Sequence, residues 1–186
     1  MNHSSAVAST RLPPRKAHAA GRVRAELETP VGELILIADE VGLRALRLPQ
    51  GRPLASDADI PRDPRRLRPF LTQLQAYFAG ELRQFDLPLS PTGTDFQCAV
   101  WWALAEIPYG ETMSYSAMAA KIGRPRAVRA VGAANGANPL PIVLPCHRVI
   151  GRDGSLTGFA GGLACKAWLL AHERRLRGER QADLWG

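Results

Sequence analysis

Between Val23 and Leu48 (VRAELETPVGELILIADEVGLRALRL) polar and apolar residues alternate around two turn signals, Pro30 to Gly32 and Asp39 to Gly42. A side-chain period of two belongs to strands, so this stretch predicts a strand meander. The Pro-rich residues 49–64 read as a loop. The period then changes: Leu67, Phe70/Leu71, Leu74 and Tyr77/Phe78 recur at helical spacing, and Gly80 supplies the stop. Strands followed by a helix make a small α+β domain, residues 23–92, in which nothing looks catalytic.

A composition shift at Ser90 to Gly93 opens a second unit, residues 93–178. Thr94 and Gln97 form a capping box, and Phe96, Val100, Ala103/Leu104 and Ile107 line one face of the helix that follows. Ser114 caps a short helix, YSAMAAKI, which Gly123 closes. Pro125 stands at the favoured first position of another helix, PRAVRAVGAANG. Two short helices joined by a Gly-containing turn form a helix-turn-helix pattern. On the second, Ala127, Val131 and Ala134 share a core stripe, while Arg126, Arg129, Ala133 and Gly136 share the opposite one. That outer stripe, cationic at one end and nearly bare at the other, fits a helix laid against DNA; an Ala-rich packing helix with a solvated edge has the same pattern.

Composition and charge refine this picture. The chain has 186 residues, 46% hydrophobic and 22% charged, as an ordinary globular protein does. No apolar run reaches the roughly 18 residues of a membrane span, and no secretory signal is evident, so a cytosolic protein without a membrane partner is expected. Residues 1–22, basic and acid-free, read as a disordered tail, with an organelle transit peptide as the minority alternative; residues 179–186 are a second tail. The net charge of +7 suggests an anionic partner. From Thr112 to Arg152 there is no acidic residue, but Lys121, Arg124, Arg126, Arg129, Arg148 and Arg152 all fall there. A phosphate backbone selects such a field, and a solvated basic face produces it too.

Three cysteines, Cys98, Cys146 and Cys165, are too few for a disulfide framework. Cys146 stands in LPCHRVIG, where Pro145 holds it in an extended or turning segment. Neighbouring residues of a strand point to opposite faces, so His147 reaches the thiol only through a bend or a water. A thiol with a pKa near ~8.5 needs a base or cations, and the segment offers His147 and Arg148. Glu173, on the helix LACKAWLLAHE, can orient the imidazole. A metal site of Cys146, His147, Cys165 and His172 matches no standard zinc spacing. The remaining alternative is a buried, inert cysteine beside a satisfied histidine. A basic, acid-free helix-turn-helix directly before the thiol favours a nucleophile presented to a flipped nucleic-acid base.

The stretches TDFQCAVWWALAEIPYGETMSYSAMAAKIG, RAVRAVGAANGANPLPIVLPCHRVIGRDGSLTGFAGG and KAWLLAHE resemble the O6-alkylguanine-DNA alkyltransferases, or methylated-DNA–protein-cysteine methyltransferases, most closely the stand-alone bacterial kind. The resemblance implies a ribonuclease-H-like N-terminal domain and a mainly helical, winged-helix-like C-terminal domain. It implies single-turnover, irreversible transfer of an alkyl group from guanine O6 in double-stranded DNA to Cys146, without a cofactor. O4-alkylthymine is a further candidate substrate, and the protein is expected to be a monomer in the bacterial cytosol or nucleoid, with cooperative binding on DNA left open.

The family's water-linked histidine and its glutamate match His147 and Glu173, and the asparagine that braces the active-site turn matches Asn138. Tyr115 matches the tyrosine that crowds the phosphate and donates a proton as guanine leaves. Arg129 matches the arginine that fills the vacated stack, and Arg126, Ala130, Ala133 and Gly136 fall on the DNA-facing helix. The pocket is implied for Pro141, Val149, Phe159 and Ala160. Backbone groups of Cys146 and Val149 would accept from the guanine amine, and the Ala160 N–H would face O6. Phe159 stands where many members have tyrosine, which puts rate or substrate range in question. Some relatives bind zinc through cysteines near the N-terminus; no Cys precedes Cys98 here, so no metal is expected. A damage sensor that does not transfer alkyl groups is the rival, against which the intact Cys146 argues, because non-transferring relatives replace that residue. A redox or metal thiol protein is the third reading.

Overall fold

The computed structural model describes residues 21–50 and 57–183. The predicted N-terminal tail therefore lies outside the described residues except for Gly21 and Arg22. The meander consists of β1 (Val23–Leu27), β2 (Leu34–Ala38) and β3 (Leu43–Arg47), antiparallel in that order. Val23 pairs with Ala38 and Leu27 with Leu34, and a register irregularity falls at Ile37/Ala38. In β1, Val23, Ala25 and Leu27 are buried while Arg24 and Glu26 are half-exposed, as a period of two requires. The helix α1 (Arg68–Ala79) buries Phe70, Leu74 and Tyr77. Gly80 ends it in the left-handed region at φ 82, where its N–H reaches the free carbonyls of Ala76 and Tyr77.

The second part begins with α2 (Asp95–Leu104). Thr94 and Gln97 form the expected reciprocal cap, Gln97 N to Thr94 Oγ1 at 3.2 Å and Thr94 N to Gln97 Oε1 at 2.9 Å. Such a cap contributes about 1 kcal/mol. Next come β4 (Met113–Ser114), α3 (Tyr115–Lys121) and α4 (Val128–Gly136). Beyond them lie β5 (Val149–Ile150) and the long α5 (Gly162–Asp183). Ser114 caps α3 through a 3.1 Å bond from the Ala117 N–H. The parallel pair β4–β5, too short to show a period, was not legible in the sequence.

Three expectations need correction. Pro125 is not the first residue of a helix: a turn closed by Ala127 N to Arg124 O (2.8 Å) takes up residues 124–127, and α4 starts at Val128. Ala127 consequently caps the helix, half-buried, instead of joining Val131 and Ala134 in the core, where Asn135 is the third buried residue of α4. And α5 runs past residue 178 to Asp183, so the first part of the expected C-terminal tail continues the helix.

One apolar core spans both parts, from Leu36 and Leu43 through Tyr77 and Trp101 to Leu144 and Val149. The seam is hydrogen-bonded as well as packed. Leu46 N donates to Pro139 O at 2.8 Å, which ties β3 to the segment leading to Cys146.

Candidate active site

After α4 the chain makes two three-residue turns in quick succession. The Val143 N–H donates to Pro141 O at 2.9 Å around Ile142, whose φ is +74. The Cys146 N–H donates to Leu144 O at 2.7 Å around Pro145, at φ −79 and ψ 67. Both are γ-turns, and positive φ at a buried β-branched residue costs on the order of 1–3 kcal/mol. Buried Asn138 holds the pair together: its Nδ2 donates to Leu144 O at 2.7 Å and its Oδ1 accepts from Leu140 N at 3.0 Å. Asn135 adds a bond from Nδ2 to Cys146 O at 3.3 Å. Cys146, His147 and Arg148 then form a single 3-10 turn, all three buried.

Glu173 of α5, fully buried, gathers this turn. Its Oε1 is 2.8 Å from His147 Nε2 and accepts from Tyr77 OH at 2.8 Å and Arg148 Nη2 at 2.9 Å. Its Oε2 accepts from Arg148 Nε at 2.9 Å and Gly110 N at 3.0 Å. Burial pushes the Glu173 pKa up, but the His147 and Arg148 hydrogen bonds and the Arg148 charge outweigh it and hold the carboxyl far below its usual range. As an ionised acceptor, Glu173 requires His147 to present N–H at Nε2, which leaves Nδ1 as the lone-pair nitrogen. Burial keeps the His147 pKa low despite Glu173, so the ring is neutral. Its Nδ1 is buried and has no hydrogen-bond partner among the described residues. Nε2 is committed, and Nδ1 is left as a base.

The Cys146 thiol is 2% exposed, and burial raises its pKa to about 11, only partly offset by the Asn138 amide and the Lys166 charge. Four units above neutral pH leaves roughly one thiol in 10⁴ ionised, so the sulfur needs a base. Lys166, fully buried, donates to Val149 O at 2.6 Å and Thr157 O at 2.8 Å and lies 5.9 Å from the Tyr115 ring centroid. Tyr115 OH donates to the same Thr157 carbonyl at 3.2 Å. Tyr115 is therefore close to the loop after β5. Phe159, in that loop, sets its ring edge against His147, with centroids 6.4 Å apart at 79°. Pro141 and Val149 are buried and Ala160 is exposed. The Cys146 carbonyl accepts from Asn135 Nδ2 and from the Val149 N–H, which uses both of its lone pairs and runs against the expectation that it accepts from a guanine amine; the Val149 carbonyl accepts from Lys166 Nζ.

On the opposite face of α4, Arg126, Arg129, Ala130, Ala133 and Gly136 are all exposed, with Arg126 in the turn that leads into it. Arg148 departs from expectation. Its guanidinium is buried on Glu173 and Ile107 O (2.6 Å), so it is withdrawn from the surface and props the carboxylate that orients His147. The N-terminal unit, in which nothing looks catalytic in sequence, nonetheless reaches this network, since Tyr77 OH donates to Glu173 Oε1. A tyrosine on the apolar stripe of α1 was the available signal, because a buried hydroxyl needs a partner. For Lys166 the signal was a cation on the buried stripe it shares with Leu169, Leu170 and Glu173. His172, grouped earlier with the thiols as a metal alternative, instead places Nε2 3.0 Å from Tyr77 O and stacks on Trp168. No cluster of three metal-ligating side chains occurs among the described residues.

Residues 23–91 match the ribonuclease-like domain of 6-O-methylguanine DNA methyltransferase, and residues 95–175 match its DNA-binding domain. The methylated-DNA–protein-cysteine methyltransferase of Methanosarcina barkeri is 51% identical over 148 residues, 79% of this chain and 94% of that one. The constitutive enzyme of that name from Bacillus subtilis is 49% identical over 152 residues, 79% of this chain and 92% of its own. Among solved structures, the Mycobacterium tuberculosis O6-methylguanine methyltransferase superposes with a TM-score of 0.78 at 46% identity, covering 83% of this chain and 93% of that one. Mycobacterium tuberculosis OGT in complex with DNA gives 0.77 at 46% identity over 83% and 94%. With both domain models matched in order along most of its length, the chain belongs to the 6-O-methylguanine DNA methyltransferase family.

Proposed function

We propose that this protein repairs DNA by direct reversal, taking an alkyl group from O6 of guanine onto the sulfur of Cys146, once per molecule. The observation that carries the reading is the pairing of a buried thiol with a neutral His147 whose Nε2 is fixed by Glu173 while its Nδ1 has no partner among the described residues. A water between Sγ and Nδ1 relays the thiol proton to His147. The thiolate attacks the alkyl carbon in line, a C–S bond forms, and the O6–C bond breaks with its electrons leaving on guanine. Tyr115 donates a proton to the departing base, because neutral guanine is the better leaving group. Until a substrate enters, burial keeps the sulfur protonated and unreactive toward stray electrophiles.

The substrate on this reading is double-stranded DNA with the damaged nucleotide turned out of the stack, since the sulfur is buried and a stacked base is out of reach. Arg129 fills the gap from the minor groove. Ala130, Ala133 and Gly136 let α4 approach the backbone, and Arg126 holds a phosphate. In this reading α3 and α4 act as the helix-turn-helix. Pro141, Val149, Phe159 and Ala160 wall the base pocket, with residues 23–92 as its support and residues 93–178 as the working unit. The protein acts as a monomer in the bacterial cytosol or nucleoid.

Intact-mass measurement with peptide mapping, after incubation with a stoichiometric duplex carrying O6-methylguanine, tests the proposal. A single added methyl on Cys146, absent in Cys146→Ser, is the expected result. Tight binding to that duplex with no change of mass would instead support a damage sensor.

A further inference from the structure

At the seam between the two parts, Ile37 of β2 and Arg44, Ala45 and Arg47 of β3 line a partly open cavity of about 290 Å³ together with Thr92 and Pro139. Three arginines line it, Arg22, Arg44 and Arg47, together with Thr92, and Asp57 is the one carboxylate among its lining residues. Arg47 Nε is paired with Asp57 Oδ2 at 2.9 Å, and Arg44 Nη1 reaches outside the cavity to Asp39 Oδ2 at 3.2 Å. These two arginine side chains are only 23% and 15% exposed. Arg22 has neither kind of support: its Nε is buried and has no hydrogen-bond partner among the described residues.

Counting both carboxylates, the three cations leave one positive charge over. Partly buried guanidinium is costly unless an anion compensates it. Residues 1–20 and 51–56 contain no Asp or Glu to provide that anion, and Glu40, whose carboxylate lies beside Gly21, forms no ion pair with Arg22. We propose that the cavity between Arg22, Arg44 and Arg47 is a phosphate-binding site, in which planar guanidinium forks and the Thr92 hydroxyl take the oxygens. Its chemistry suits a free phosphate or diphosphate and equally a backbone phosphate of DNA.

The location gives the site a consequence. Pro139 lines the cavity, its carbonyl carries the bond from Leu46 N, and its neighbour Asn138 braces the turn that presents Cys146. A bound phosphate therefore clamps β2 and β3 to the segment behind the thiol. None of this depends on the alkyl-transfer reading.

Thermal unfolding of the full chain at fixed ionic strength, titrated with inorganic phosphate and with pyrophosphate, tests the site. Arg22→Gln is the matched variant, since Arg22 Nε makes no bond whose loss would weaken the fold. The expected result is a saturable rise in Tm, roughly 5–10 °C at a hundredfold excess over Kd, that Arg22→Gln loses. Salt dependence of binding to undamaged duplex separates the two sources. A slope of log K against log salt that falls by about 0.9 in Arg22→Gln identifies a DNA phosphate, and an unchanged slope identifies a free one. Equal Tm rises in both proteins would reflect the general stabilising action of phosphate salts and would overturn the site. So would the absence of any saturable rise together with an unchanged slope.

Discussion

The protein keeps its charges in two contrasting settings. Around Glu173 every charge is buried and tied: two carboxylate oxygens meet His147, Arg148, Tyr77 and Gly110 at 2.8–3.0 Å. Along the outer side of α4 the cations Arg126 and Arg129 stand exposed beside small residues, with no ion pair recorded for either among the described residues. Buried charge of the first kind is held rigid because each unmade bond there costs several times what it would in water. Exposed charge of the second kind costs little to leave bare and is free to meet a partner. On the proposed function, the first setting prepares a base for chemistry and the second supplies grip. Breaking one should damage fold and reaction together; breaking the other should damage only recognition.

The sharpest break is Glu173→Ala. It strands the Arg148 guanidinium and leaves the imidazole without an acceptor, so unfolding free energy should fall by about 3–5 kcal/mol. Urea titration would measure it, and alkyl transfer should fall in whatever protein remains folded. Because the folded pKa of Glu173 lies far below its unfolded value near ~4.3, its contribution is complete above that pH and is lost as the solution is acidified. The wild type should therefore lose more stability than the variant between about pH 5 and pH 2. Parallel acid profiles in the two proteins would remove Glu173 from the buried network.

Arg129→Ala tests the exposed setting. Its Tm should stay within about 1–2 °C of wild type, since surface changes away from special features shift stability by less than about 0.5 kcal/mol. Transfer from duplex O6-methylguanine should slow by tenfold or more, while reaction with free O6-benzylguanine is spared. Equal loss on both substrates would refute the role in base extrusion.

Tyr77→Phe is the mildest. It deletes one of the donors to Glu173 Oε1 while Arg148 and His147 keep theirs. The expected loss is about 0.5–1.5 kcal/mol, with duplex binding unchanged, and it can be read by chemical denaturation beside a DNA titration. A fall in DNA affinity without a fall in stability would mean that the two settings are coupled through α1.

Much of the local structure was legible because it rests on short-range rules. The period of two in β1, the left-handed stop at Gly80, and the capping pairs Thr94/Gln97 and Ser114/Ala117 follow from residues at most a few positions apart. Pro125 misled for the same reason: it fits the first turn of a helix, but the preceding Arg124 carbonyl captured the Ala127 N–H and postponed α4 to Val128. Arg148 misled because a cation beside a thiol has the same sequence whether its guanidinium faces the sulfur or the carboxylate beneath.

What the sequence determined by itself was the inventory: a meander and helix, a second helical unit, an acid-free basic stretch, and a cysteine held by prolines beside a histidine. Those features depend on periodicity, capping and backbone restriction, which act within a few residues. Only the tertiary structure decided which charge serves which purpose. Tyr77 lies 96 positions from Glu173 in sequence, and Arg148 lies 25, yet both end on the same carboxylate. Burial closes that distance, and once a carboxylate has left water it must take whatever donors the fold brings within 3 Å, wherever in the chain they come from.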